Sequence, residues 1–93
     1  MKFVLLDGKE IRSTAAMHRA FAEALEFPEW YGNNLDALYD MLTERSEEIT
    51  IALVHTKKLK KALGARWEPF LAMLEDLKGE KPKIHVLIEG EEG

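Results

Sequence analysis

Apolar residues follow two rhythms along this chain, short continuous runs and longer stretches spaced three and four apart, and the two alternate. Lys2–Leu6 is a continuous run closed by the turn pair Asp7-Gly8, and its continuity reads as a strand covered on both faces. Met17, Ala20, Phe21, Ala24 and Leu25 recur with helical spacing. Ser13 can cap that helix, and Pro28 ends it because the residue before a proline avoids helical dihedrals. Glu29–Asn34 is a loop with two large aromatics, and a second helix, capped by Asn33 or Asn34, runs to about Glu44. Ile49–Val54 reads as a second strand. Thr56 is placed to cap a short third helix with Leu59, Ala62 and Leu63 inward and Gly64 at its end. Trp67, Phe70, Leu71, Leu74 and Leu77 form the stripe of a fourth helix, with Pro69 in its first turn and Gly79 and Pro82 as its stop. Ile84–Ile88 is a third strand, and Glu89–Gly93 is expected to fray.

Strands separated by helices require crossover connections, so the predicted class is α/β, a three-stranded parallel sheet with four helices. Right-handed crossovers put the helices largely on one face. With so few strands, the sheet's other face must find cover or stay partly exposed. Residues 1–93 show no internal repeat and no linker, and read as a single domain.

Composition narrows the function classes. Apolar residues at 46% can build one small core, and no run approaches the ~18 apolar residues of a membrane-spanning helix. The apolar N-terminal run meets Asp7 too early for a secretory signal, so a cytoplasmic protein with no membrane partner is expected. Without cysteine there is no disulfide, thiol nucleophile or thiolate metal site. His18, His55 and His85 match no metal-ligand spacing, and His18 and His85 read as hydrogen-bonded structural histidines. No metal and no cofactor are expected.

Charge is segregated. Glu23 to Glu48 holds eight acids against Arg45 alone, while Ile51 to Arg66 holds five bases and no acid. On the second helix, Asp36, Asp40 and Glu44 recur at i, i+4 and i+8 as one acidic stripe opposite the apolar side, with Tyr39 at its border. An acid in the first turn suits the helix dipole, which accounts for Asp36. Asp40 lies beyond that turn, is a poor helix former and has no base at i±3 or i±4. Trp30 and Tyr31 stand at the start of the same helix. Adjacent loop aromatics cannot easily both be buried, so Tyr31 is expected in the core and Trp30 outside. An exposed indole beside carboxylates suits a cationic partner. Asp36 and Asp40 lack the nucleophile, oxyanion donors or histidine base that catalysis would need, so no catalytic residues and no enzyme are expected.

The segment Pro28-Glu29-Trp30-Tyr31-Gly32-Asn33-Asn34-Leu35-Asp36-Ala37-Leu38-Tyr39-Asp40 resembles the signature of the barstar family, intracellular inhibitors of barnase-type ribonucleases. Asp7-Gly8, Ile11-Arg12-Ser13 and Met17-His18 agree as well, and the resemblance spans nearly the whole chain. It implies a stoichiometric inhibitor that plugs the cationic cleft of a secreted barnase-like ribonuclease, with carboxylates where RNA phosphates would lie. Such a protein protects the producing cell, in the manner of an antitoxin, and is expected to be monomeric when free. Carried onto this chain, the resemblance makes Asp40 the deepest phosphate mimic and Asp36 its neighbour. Trp30 replaces a loop tyrosine that covers the cleft, Gly32 and Asn34 shape the loop, and Tyr39 replaces a rim tryptophan. Asp76 is placed as the fourth-helix acid, with Glu75 one residue away as the alternative. The partner-binding set is therefore Trp30, Gly32, Asn34, Asp36, Tyr39, Asp40, Glu44 and Asp76. Departures from the family pattern touch the partner's identity: Asn33 stands in place of a glutamate, Arg45 in place of an interface tryptophan, and the usual cysteines are absent.

Two other readings stay open. One is a barstar-like module that binds a different nuclease toxin or another protein. The other is a nucleic-acid binder through Lys57-Lys58-Leu59-Lys60-Lys61. In that run only one helix face is basic and no aromatic interleaves with the lysines, so solvated surface is the preferred reading and no nucleic-acid partner is expected.

Overall fold

The structure is a computed structural model that describes residues 1–89. Its elements are β1 (Lys2–Asp7), α1 (Thr14–Leu25), α2 (Leu35–Thr43), β2 (Ile49–Val54), α3 (Thr56–Leu63), a 3₁₀ turn (Gly64–Arg66), α4 (Trp67–Glu80) and β3 (Ile84–Ile88). The three strands form one parallel sheet in the order β1-β2-β3, the α/β class that the alternation of patterns implied. The 3₁₀ turn joins α3 to α4 directly, so the helical segments make three separate bodies, one of them bent at Gly64. Gly64, at φ 55°, supplies the bend, a backbone that L side chains rarely adopt.

The core lies between one face of the sheet and α1, α2 and α4. Val4, Leu6, Ile49, Ile51, Leu53 and Ile84 project from the sheet onto Met17, Phe21, Leu38, Leu42, Phe70, Leu74 and Leu77. Phe21 and Phe70 meet edge-on with ring centroids 6.2 Å apart, which ties α1 to α4. α2 packs against α4. This contact positions the acidic helix.

The expectation that β1 is covered on both faces is corrected. Val4 and Leu6 are fully buried, but Phe3 and Leu5 are about half exposed. Phe3 pairs with Thr50, which pairs in turn with His85, and Leu5 pairs with Ala52, which pairs with Leu87, so these residues share the face that carries no core helix. Only the central strand, flanked on both sides, is buried almost throughout.

Some termini also differ from expectation. α1 stops at Leu25, two residues before Phe27, because Glu26 enters the left-handed region and its amide donates to the Ala22 carbonyl. Thr56 lies inside the first turn of α3 instead of capping it; His55, at φ 50°, takes the cap position, and the Thr56 hydroxyl faces the Glu89 carbonyl. α4 runs through Gly79 to Glu80 and ends only where Lys81, held extended by the following Pro82, cannot continue. The Glu89 amide donates to Leu53 and is tied to the sheet, while the rest of the expected frayed tail lies outside the described residues.

Candidate functional site

The loop before α2 is held from within. Tyr31 is 8% exposed, its ring 4.8 Å from that of Phe27 and its hydroxyl hydrogen-bonded at 2.7 Å to Nδ1 of buried His18. Burial pushes the phenol well above its ordinary value and lowers the His18 imidazole. Tyr31 therefore stays a protonated plug. Its neighbour Trp30 cannot follow it inward and is 78% exposed.

Asn34, not Asn33, caps α2. Its Oδ1 accepts from the Ala37 amide at 2.8 Å and its Nδ2 donates to the Gly32 carbonyl. Asn33 takes the left-handed backbone at φ 54°, which asparagine tolerates better than most residues. Gly32 is confined, since a Cβ there would lie 3.2 Å from the Asn34 amide nitrogen. Gly32 and Asn34 thus turn the chain sharply from Trp30 into α2.

On α2, Leu38 and Leu42 are fully buried, and Asp36, Asp40 and Glu44 are exposed. None of the three has an ion-pair partner among the described residues. Asp36 stands in the first turn, where it suits the dipole; Glu44 is the C-cap, where a carboxylate opposes it, and no base occupies the last turn. The stripe is therefore partly adverse to its own helix.

Three hollows touch the stripe. At its amino-terminal end, one of about 480 Å³ is lined by Thr14, His18, Asn34, Asp36 and Arg66. Two more lie along its sides. One, of about 170 Å³, is lined by Trp30, Gly32, Asp40, Met41 and Glu44, and places the indole beside two carboxylates. The other, of about 440 Å³, lies between α2 and α4 and is lined by Asp36, Tyr39, Pro69, Met73 and Asp76. The two fourth-helix acids now separate. Asp76 lines the α2–α4 hollow and adds to the negative field on Tyr39, whereas Glu75 is 3.5 Å from Lys78 and does not line it.

Sequence reasoning missed Glu80. The Tyr39 hydroxyl donates to its Oε1 at 2.8 Å, and this bond, with partial burial and the charges of Glu80, Asp76 and Asp40, raises the phenol above its ordinary value. The partners are 41 residues apart, and no local pattern links them. Arg45, which could have opposed the acidic stripe, is held by Glu47 at 2.9 Å and lines a separate hollow with Ser46, Lys81 and Pro82. His85 is 3.2 Å from Glu48 and stays exposed. Among the described residues no cluster of histidine and acidic side chains could hold a metal ion, and no helix is long and apolar enough to cross a membrane.

A surface of this kind offers fixed carboxylates and an aromatic ring to a cationic cavity. The comparisons with known proteins agree in kind. The family model described as Barstar (barnase inhibitor) matches residues 1–89. A Bacillus subtilis (strain 168) protein named "Putative ribonuclease inhibitor YrdF" is 29% identical over 91 residues, covering 96% of this chain and all of that protein.

Proposed function

Because the chain belongs to the barstar family, whose members are inhibitors and not enzymes, we propose that it inhibits a secreted barnase-like ribonuclease by occluding its active site. The observation that carries this reading is the row Asp36, Asp40 and Glu44, exposed and without ion pairs among the described residues, beside an exposed Trp30. Phosphate-binding clefts are cationic, so carboxylates held on a rigid helix can occupy the places of RNA phosphates. Asp40 enters deepest, with Asp36 one turn earlier and Glu44 one turn later. Trp30 lies over the rim of the cleft, where an arginine can stack on the ring and pair with a carboxylate at once. Asp76 and Tyr39 close the α4 side. Gly32 and Asn34 hold the loop in shape, so little order is lost on binding. Such an inhibitor works inside the cell that makes the ribonuclease, before the enzyme is exported.

The test is inhibition of RNA cleavage by a barnase-type ribonuclease from the same source. Asp40→Ala should raise the inhibition constant by about tenfold or more, the equivalent of about 1.4 kcal/mol. Association of the wild-type chain should slow steeply as ionic strength rises. An unchanged inhibition constant for Asp40→Ala refutes the assigned role. Failure of the wild-type chain to inhibit, with capture of another nuclease in its place, would favour the reading as a module for a different toxin.

A further inference from the structure

At the carboxyl ends of β1 and β2 lies a groove of about 480 Å³ lined by Gly8, Lys9, Ile11, Arg12, Lys58, Lys61 and Ala62, none of them assigned to the inhibitory surface. Four of these residues are cations and none is an acid. All four are exposed, and none has an ion-pair partner among the described residues. They come from two segments far apart in sequence. Lys9 and Arg12 lie on the connection that follows β1; Lys58 and Lys61 share one face of α3.

What brings the two pairs together is Gly8. Its amide donates to the Val54 carbonyl at 2.9 Å, and a Cβ at this position would fall on the His55 carbonyl and lie 2.7 Å from the Leu59 amide nitrogen. The backbone of the β1–α1 connection therefore presses on the first turn of α3, and the cations converge. Of the two acids near Lys9 along the chain, Asp7 accepts from the Lys9 amide and faces His55; Glu10 is exposed and does not line the groove. Convergence of four like charges opposes folding, and the chain's overall charge of −4 makes the local excess more marked.

We infer that this groove binds the phosphate backbone of nucleic acid by charge alone. Protein interfaces are depleted in lysine at their centres and enriched in aromatics. This groove has three lysines and no aromatic, the reverse pattern. Without a ring to stack on, bases add nothing, so binding is electrostatic, weak and indifferent to sequence. The Arg12 guanidinium can grip one phosphate through two nitrogens, and the lysines act as point charges on its neighbours. The run Lys57–Lys61 alone would not form such a site, since Lys57 and Lys60 do not line the groove.

The probe is a short fluorescein-labelled oligothymidylate, followed by anisotropy across a salt series, with the full chain. Four phosphates neutralised on a single strand give a log–log salt slope of about −2.8. Lys58→Ala/Lys61→Ala should reduce it to about −1.4, and Arg12→Ala should reduce it by about 0.7. All three side chains are exposed, so the variants keep the wild-type circular dichroism, and none belongs to the inhibitory surface, so ribonuclease inhibition should not change. Competition by unlabelled oligothymidylate but not by polyglutamate supports the inference. Absence of an anisotropy change at low salt overturns it, as does a slope unaltered in the variants or equal competition by polyglutamate. Self-association that the double variant abolishes would also overturn it and assign the groove to the acidic face of a second copy.

Discussion

Tyr39 on α2 and Glu80 at the end of α4 are joined by a 2.8 Å hydrogen bond, the phenol donating to the carboxylate. The bond pins the acidic helix to α4 beside Asp76. It also keeps Tyr39 protonated, because a phenolate there would face Glu80, Asp76 and Asp40. A raised phenol contributes stability that is complete below its unfolded value of 10.0 and is lost as pH rises through the folded value. Glu80→Gln should bring the Tyr39 titration back toward that value, followed by tyrosinate absorbance. Tyr31, pushed up by burial, should remain the last tyrosine to ionise. A titration curve unaltered by Glu80→Gln would mean that the bond does not set the shift.

Asp76 and Glu75 differ in environment by a single step along α4. Asp76 lines the α2–α4 hollow, and Glu75 sits near Lys78. Asp76→Ala should weaken inhibition of the ribonuclease, and Glu75→Ala should leave it within about twofold, the scatter expected of a rim charge. Equal losses from both would show that the partner approaches α4 from another side.

His18 couples the loop to pH. Its imidazole, buried against the Tyr31 hydroxyl, is lowered by burial from the ordinary 6.5. In the range below 6.5 the unfolded chain takes up a proton that the folded chain takes up only at lower pH. Stability from this group is therefore complete above 6.5 and declines as pH falls, by at most about 1.4 kcal/mol per pH unit. Urea unfolding between about pH 8 and about pH 5 should show this decline, and His18→Gln should flatten it. The same slope in both proteins would place the proton elsewhere.

Gly8→Ala should destabilise the fold by about 3 kcal/mol, because the new methyl meets backbone atoms of His55 and Leu59 that no rotamer change can move aside. Chemical denaturation measures it. A loss below about 0.5 kcal/mol, the scatter of a surface substitution, would show that the connection can slide off α3.

Glu44 tests whether the acidic stripe opposes its own helix. It caps the C-terminus of α2, where a negative charge is unfavourable, and follows Asp40 at i+4. Glu44→Gln should raise stability by about 0.5 kcal/mol while weakening inhibition. A variant that is both less stable and equally inhibitory would contradict the assignment of Glu44 to the interface.

Element order, the parallel sheet and the acidic stripe were legible because they rest on local regularities. Short continuous apolar runs and a 3.6-residue period separate strand from helix, and the i, i+4, i+8 spacing puts Asp36, Asp40 and Glu44 on one face whatever the helix packs against. The split of the loop pair was legible because Tyr31 and Trp30 are chain neighbours, and adjacent loop aromatics cannot easily both turn inward. The exposure of Phe3 and Leu5 was not legible. A continuous apolar run looks the same whether a sheet is covered on two faces or on one, and coverage depends on where the other elements pack.

Sequence alone determined which side chains this protein offers and the helix face from which it offers them, since covalent order and helical pitch settle both. Tertiary structure decided which charges remain available. The Arg45–Glu47 pair, the Tyr39–Glu80 bond and the Lys78–Glu75 contact leave Asp36, Asp40, Glu44 and Asp76 without ion pairs among the described residues. The seat of Gly8 on α3 gathers Lys9 and Arg12 with Lys58 and Lys61. The long-range part of this depends on how α2 meets α4 and how β1 meets α3, packing contacts between segments far apart in the chain that no local pattern encodes.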